Sequence, residues 1–117
     1  MFPMTVEKVF NEASAMAEQA TDTYVQQQLG GQDAWPCGFA WVNIYEYEGK
    51  KIRANSKMGK ALAELGVRKS GYDKCFRVWN PSGTMLQNMD AKEQGAQAFA
   101  RHLQKFGFTA YAGSRMD

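Results

Sequence analysis

The first thirty residues carry the pattern that most constrains the fold, because apolar side chains recur there at steps of three and four. At about 100° per residue, this spacing places them on one stripe of a helix. The stripe consists of Val6, Val9, Phe10, Ala13, Met16, Ala17, Ala20 and Tyr24. It predicts an amphipathic helix over residues 5–29, with Thr5 as its N-cap and Gly30-Gly31 at its end. We expect the stripe to be buried.

The segment 30–38 is dense in residues that break regular structure and is predicted to be a loop. Residues 39–66 predict a strand, a turn, a strand and a short helix, capped by Asn55 or Ser56 and ended by Gly66. Alternation in the first strand defines two faces. One face carries Ala40, Val42 and Ile44, and the other carries Phe39, Trp41, Asn43, Tyr45 and Tyr47.

A second strand-turn-strand-helix unit is predicted over residues 75–107. Its first strand leads into Asn80-Pro81-Ser82-Gly83, which suits a type I turn, so residues 84–87 are expected to pair back as the second strand. Asp90 and Glu93 have the spacing of a capping box in front of a helix that ends at Gly107. A short strand over 108–113 follows.

Together these elements predict an α+β fold. We expect an antiparallel sheet of two hairpins plus a C-terminal strand, with the N-terminal helix and two further helices packed on one face. The chain has 117 residues, of which 44% are hydrophobic and 22% are charged. Because this length is close to the commonest domain size, we expect a single domain over residues 1–117.

The composition excludes several classes of protein. No segment approaches the roughly 20 apolar residues of a membrane span. The first residues lack the basic and apolar regions of a secretory signal, so a cytoplasmic location is expected. Cys37 and Cys75 are too few for a disulfide framework and agree with a reducing compartment.

Groups suited to catalysis or metal binding are sparse. The single histidine, His102, lies at the edge of the third helix's apolar face, which favours a half-buried structural role. Ser82, His102 and Asp90 can be combined on paper, but their spacing matches no known nucleophile context. Two cysteines and one histidine on separate elements do not make a zinc ligand set. We therefore expect no enzymatic activity, no metal and no cofactor.

The strongest functional signal is the distribution of charge. The segment from Lys50 to Arg77 holds nine of the fourteen Lys and Arg residues against Glu64 and Asp73, which makes it +7 while the remainder is −5. Such a cluster predicts contact with the phosphates of DNA or RNA, or of another phosphate-bearing ligand. The predicted contacts are Lys50, Lys51, Arg53, Lys57, Lys60, Arg68 and Lys69. An open aromatic face on the first strand would stack bases beside them.

Two alternatives to nucleic-acid binding follow from the same residues. The basic segment can instead be a solvated face that the acidic first helix neutralises, with the strand aromatics in the core. Trp35, in the glycine-bounded loop, is a candidate anchor for a host protein, unless it folds back on the core. The opposite charges of the first helix and the middle segment also permit a homodimer.

Three stretches of the chain carry a resemblance to a known group of proteins. They are Gly38-Phe39-Ala40-Trp41, Trp79-Asn80-Pro81-Ser82-Gly83 and the closing segment 110–117. In combination they resemble small uncharacterised proteins of bacteriophages and prophages. The resemblance implies a mobile-element source, where small proteins often bind nucleic acid or inhibit host proteins. It supplies no site residues.

Overall fold

The structure, a computed structural model, describes residues 2–70 and 74–117. They form three helices and five strands. In chain order they are α1 (Phe2–Gln28), β1 (Gly38–Tyr47), β2 (Lys50–Lys51), α2 (Lys57–Glu64), β3 (Arg68–Ser70), β4 (Cys75–Trp79), α3 (Met89–Lys105) and β5 (Phe108–Met116). The strands form one antiparallel sheet. The predicted α+β fold is confirmed.

The long strand β1 organises the sheet. β5 pairs with it along its whole length, from Gly38 opposite Met116 to Tyr47 opposite Phe108. Because β5 occupies one edge of β1, both β4 and β2 share the other edge. β3 then extends the sheet beyond β4.

The helices pack on one face of this sheet. Apolar residues from α1, α2 and α3 form one buried cluster with the even-numbered residues of β1, including Val42 and Ile44. Phe10 of α1 lies at its centre, where its ring meets Phe99 and Phe108 edge to face at centroid distances of 5.7 Å. In the described part of the chain, no helix is both long and apolar enough to cross a membrane.

Helix α1 departs from its prediction at both the start and the stripe. It begins at Phe2, so the predicted N-cap at Thr5 is wrong, and Pro3 fits there because first-turn N–H groups have no helical acceptor. The buried stripe continues through Thr21 and Val25, whereas Met16 is exposed. Thr21 is accommodated because its hydroxyl donates to the Ala91 carbonyl at 2.8 Å.

The sheet has a second hairpin, but it is formed by β3 and β4, so the predicted strand over 84–87 is wrong. Residues 84–87 form no strand, and β4 pairs instead with β3, which precedes it. The reason is that β1 and β3 already occupy both edges of β4. Side chains bond to part of the 84–87 backbone instead, since the Asn80 amide donates to the Thr84 carbonyl and the Asp33 carboxylate accepts from the Gln87 N–H.

The two shorter helices are capped by side-chain oxygens. Ser56, one of the two predicted caps of α2, accepts a hydrogen bond from the Gly59 N–H at 3.0 Å. At α3 the cap is Asn88, which accepts from the Ala91 N–H at 2.8 Å, so the predicted capping box starting at Asp90 is wrong. Asn88 is held in place because its amide also donates to the Ala34 carbonyl.

Candidate nucleic-acid interface

The face of the sheet opposite the helices carries half-buried and exposed side chains. We call it the open face. From the alternation of burial and the strand registers, it includes Phe39, Trp41, Asn43, Tyr45 and Glu46 of β1, Arg68 of β3, Arg77 and Trp79 of β4, and Thr109, Tyr111, Gly113 and Arg115 of β5. Aromatic and arginine side chains therefore dominate it.

Two aromatic pairs cross between strands on the open face. Trp41 lies opposite Trp79, with ring centroids 5.3 Å apart, and Tyr45 lies 6.2 Å from Tyr111. Trp79 is 56% exposed and Tyr111 is 59% exposed. Each pair thus combines a more sheltered ring on β1 with an accessible ring on a neighbouring strand.

Arg77 links the two aromatic pairs. Its guanidinium carbon lies 5.4 Å from the ring centroid of Trp41 and 5.7 Å from that of Trp79, within the range of cation–π attraction. Its Nε donates to the Asn43 amide oxygen at 2.7 Å, and the Asn43 amide nitrogen donates to the Tyr45 hydroxyl at 3.4 Å. The charge is consequently held in one orientation between the rings.

Gly113 allows Trp41 to lie directly on the backbone of β5. A Cβ at this position would fall 2.6 Å from the indole Nε1 of Trp41 and 2.8 Å from its Cε2, much closer than van der Waals contact. Only glycine leaves room for the indole here. With Trp79 beside it, Trp41 has little freedom to rotate.

Further cations surround the aromatic rings. Arg68 lies opposite Arg77 in the β3–β4 register, and both line a groove of about 470 Å³ beside Trp79. At the other side of the face, the guanidinium carbon of Arg115 lies 5.9 Å from the Phe39 ring centroid. The open face is therefore positive as well as aromatic.

The seven basic residues predicted as phosphate contacts are all exposed, but they do not lie on one surface. Arg68 lies on the open face. Lys51 lies opposite Glu46 in the β1–β2 register, so the side chains of these two residues share one face of the sheet. Lys57 and Lys60 belong to α2, on the helix side. The remaining three lie elsewhere: Lys50 opposite Tyr47, Arg53 after β2, and Lys69 with its Nζ 5.5 Å from the Phe76 ring centroid.

The aromatic face predicted for β1 is correct for four residues and wrong for Tyr47. A bulge between Ile44 and Glu46 shifts the alternation by one residue. Tyr47 therefore turns to the core side, where its ring lies 4.8 Å from that of Phe108. Trp79, Tyr111 and Arg115 were not predicted as members of this face, because only the strand register could have indicated it.

Trp35 lies outside the open face, on a loop that is held rigidly. The Asp33 carboxylate accepts hydrogen bonds from the backbone N–H groups of Gln87, Asn88 and Ala34 at 2.8 to 3.1 Å. These bonds, the one from Gln87 first, hold the pKa of the Asp33 carboxyl below its usual value. Trp35 is 73% exposed, so the alternative in which it folds back on the core is wrong.

The candidate catalytic histidine belongs to α3 and lies apart from the open face, whereas Cys75 precedes Arg77 by two residues on β4 and is buried. The Nε2 of His102 lies 3.1 Å from the Glu12 carboxylate, which joins α3 to α1. Cys37 and Cys75 are both free thiols. Across residues 2–70 and 74–117, no three His, Cys, Asp or Glu side chains group as metal ligands.

No family model matches the sequence, and neither the curated proteins nor the solved structures contain a significant match.

Proposed function

We propose that this protein binds single-stranded nucleic acid on the open face of its sheet. The observation that carries the proposal is the pair of cross-strand aromatic platforms with Arg77 held between them. Bases present flat π faces in every sequence, and stacking one on an aromatic side chain contributes about 1–3 kcal/mol. A sheet surface with exposed rings offers such stacking without reading sequence.

The chemistry of the face favours a single strand over a duplex. In a duplex the bases are already stacked on one another, so only their edges and the phosphates are accessible. A base can stack on the exposed ring of Trp79 or Tyr111 only when it is separated from its neighbours, as the bases of a single strand can be. Arg68, which lies beside Trp79, suits the backbone phosphates, and Lys51 and the other lysines of the segment add long-range attraction.

The resemblance to phage proteins supports a setting for this activity. We propose a non-enzymatic accessory protein of a mobile element that covers transiently exposed single strands of DNA or RNA. The geometry favours neither DNA nor RNA, because base stacking and phosphate contact are common to both.

The test is a titration of labelled oligonucleotides of about 12 nucleotides, single-stranded DNA, single-stranded RNA and duplex, at low salt and followed by fluorescence anisotropy. Trp79→Ala should weaken single-strand binding about 5- to 150-fold, which corresponds to about 1–3 kcal/mol. The ring is more than half exposed, so its removal should leave the fold intact.

Trp35→Ala is the matched control, since it removes an exposed indole outside the open face. It should leave oligonucleotide binding unchanged. Equal losses in both variants, or a wild-type protein that binds no single strand at low salt, would refute the proposal.

Protein binding through Trp35 is the second candidate function. Its support is the exposed indole on a loop held by Asp33, next in space to the 83–88 segment where Met85 is 91% exposed. A preorganised aromatic anchor loses little entropy on binding. If this function operates, a partner recovered by pull-down should be lost with Trp35→Ala and kept with Trp79→Ala.

A further inference from the structure

The outer edge of β5 is open over most of the strand. The Asn80 N–H donates to the Ala40 carbonyl, so the even-numbered residues of β1 direct their backbone groups towards β4. The Asp117 N–H donates to the Cys37 carbonyl, which agrees with odd-numbered groups facing β5. In antiparallel pairing, Tyr111, Gly113 and Arg115 must then bond to β1.

The alternate residues of β5 consequently direct their N–H and C=O groups away from the sheet. These residues are Ala110, Ala112, Ser114 and Met116. An independent contact supports this direction, since the Gln104 side-chain amide donates to the Ala110 carbonyl at 2.7 Å. Among the residues that the structure describes, no strand pairs with this edge.

Beyond the bulge opposite Ala110, the edge lacks the residue types that usually prevent strand pairing. Natural edge strands are protected by proline, by lysine, by inward charges or by short length. Residues 110–116 read Ala-Tyr-Ala-Gly-Ser-Arg-Met, with a single charge that points to the open face. The Gln104 contact protects only one end.

We propose that β5 pairs antiparallel with β5 of a second copy of this chain. The register that fits places Gly113 opposite the partner's Gly113, so that Tyr111 lies opposite the partner's Arg115. Each exposed Tyr111 ring then faces a guanidinium, an attractive cation–π arrangement that occurs twice about the two-fold axis. The two Arg115 side chains lie about 13 Å apart along the strands, which limits their repulsion.

The same register satisfies the open backbone groups. Ala112 lies opposite the partner's Ser114, and two such pairs exchange about four hydrogen bonds. The two-fold axis is perpendicular to the sheet, so both open faces lie on the same side of one continuous sheet. The dimer goes beyond the proposed function, and its formation does not depend on nucleic acid.

Sedimentation velocity of the full chain from about 1 to about 500 µM tests the proposal without a ligand. The wild type should shift from the 13.1 kDa chain mass to twice that mass as concentration rises. Ala112→Pro should remove the shift, because it deletes an N–H that points away from β1 and adds a ring to the edge.

A second, surface substitution keeps the test valid if the proline variant fails to fold. Tyr111→Lys places a cation opposite Arg115 and should raise the dimer Kd at least about tenfold, the equivalent of 1.4 kcal/mol. Tyr111→Phe, the matched control, keeps the ring and should leave the Kd unchanged.

Three results would overturn the proposal. They are a wild type that stays monomeric at the highest concentration, a dimer that survives both Ala112→Pro and Tyr111→Lys, and a dimer abolished by Trp35→Ala, which would move the interface to the loop. Trp79→Ala should keep the dimer while its oligonucleotide binding weakens, so failure of this proposal and failure of the proposed function are distinguishable.

Discussion

The substitution Gly113→Ala tests the architecture of the open face most directly. Gly113 does not have the left-handed backbone that favours glycine, so alanine at such a strand position ordinarily stabilises by about 0.5–1 kcal/mol. Here the added methyl would fall 2.6 Å from the Trp41 indole nitrogen. A rigid ring cannot yield like the end of a flexible side chain, and overpacking of this kind costs about 1–3 kcal/mol.

We therefore expect Gly113→Ala to destabilise the protein by about 1–2 kcal/mol in urea unfolding, the opposite sign to an ordinary strand position. Displacement of Trp41 should also change the near-UV circular dichroism and weaken single-strand binding.

A double-mutant cycle isolates the cause. In a Trp41→Ala background the space above Gly113 is empty, so Gly113→Ala should become neutral or stabilising. If the effects of the two substitutions instead add to within about 0.3–0.5 kcal/mol, the contact between Trp41 and the β5 backbone does not exist as described.

Two further predictions concern the helix layer and the loop. Phe10→Ala removes a buried ring with two edge-to-face partners and should lower the free energy of unfolding by about 3–5 kcal/mol, as measured by urea denaturation; an unchanged midpoint would show that α1 is not part of the core. Because its pKa is lowered in the folded protein, Asp33 contributes stability at pH values above the ordinary pKa of a carboxyl group, and this contribution is lost as pH falls through the lowered pKa. Thermal melts of wild type and Asp33→Asn should therefore differ at neutral pH and converge in acid, and parallel curves over the whole range would contradict this.

Patterns that are local in sequence were sufficient to predict much of the fold. The apolar stripe of α1, the cap at Ser56 and the inward face of β1 depend on neighbours within a few residues. Their geometry follows from the helical and strand repeats, which every chain obeys. The α+β class follows from the number and order of these elements.

Strand pairing could not be read from the sequence, because it depends on residues far apart in the chain. Residues 84–87 look as suitable a partner for β4 as β3 does until both edges of β4 are assigned. The bulge after Ile44 is equally invisible in the alternation, yet it moves Tyr47 from the open face to the core.

The candidate site shows the same division. From the sequence alone, a basic segment and an aromatic strand indicated phosphate and base contacts without showing which residues meet. The tertiary structure brought Trp79 opposite Trp41, set Arg77 over both rings, and placed Lys57 and Lys60 on the helix side. It also explains why residue 113 is glycine, since a Cβ there would collide with the Trp41 indole, which belongs to another strand. Composition and periodicity are properties of one segment, whereas a binding surface is made by the register between segments, and register is decided only when the core closes.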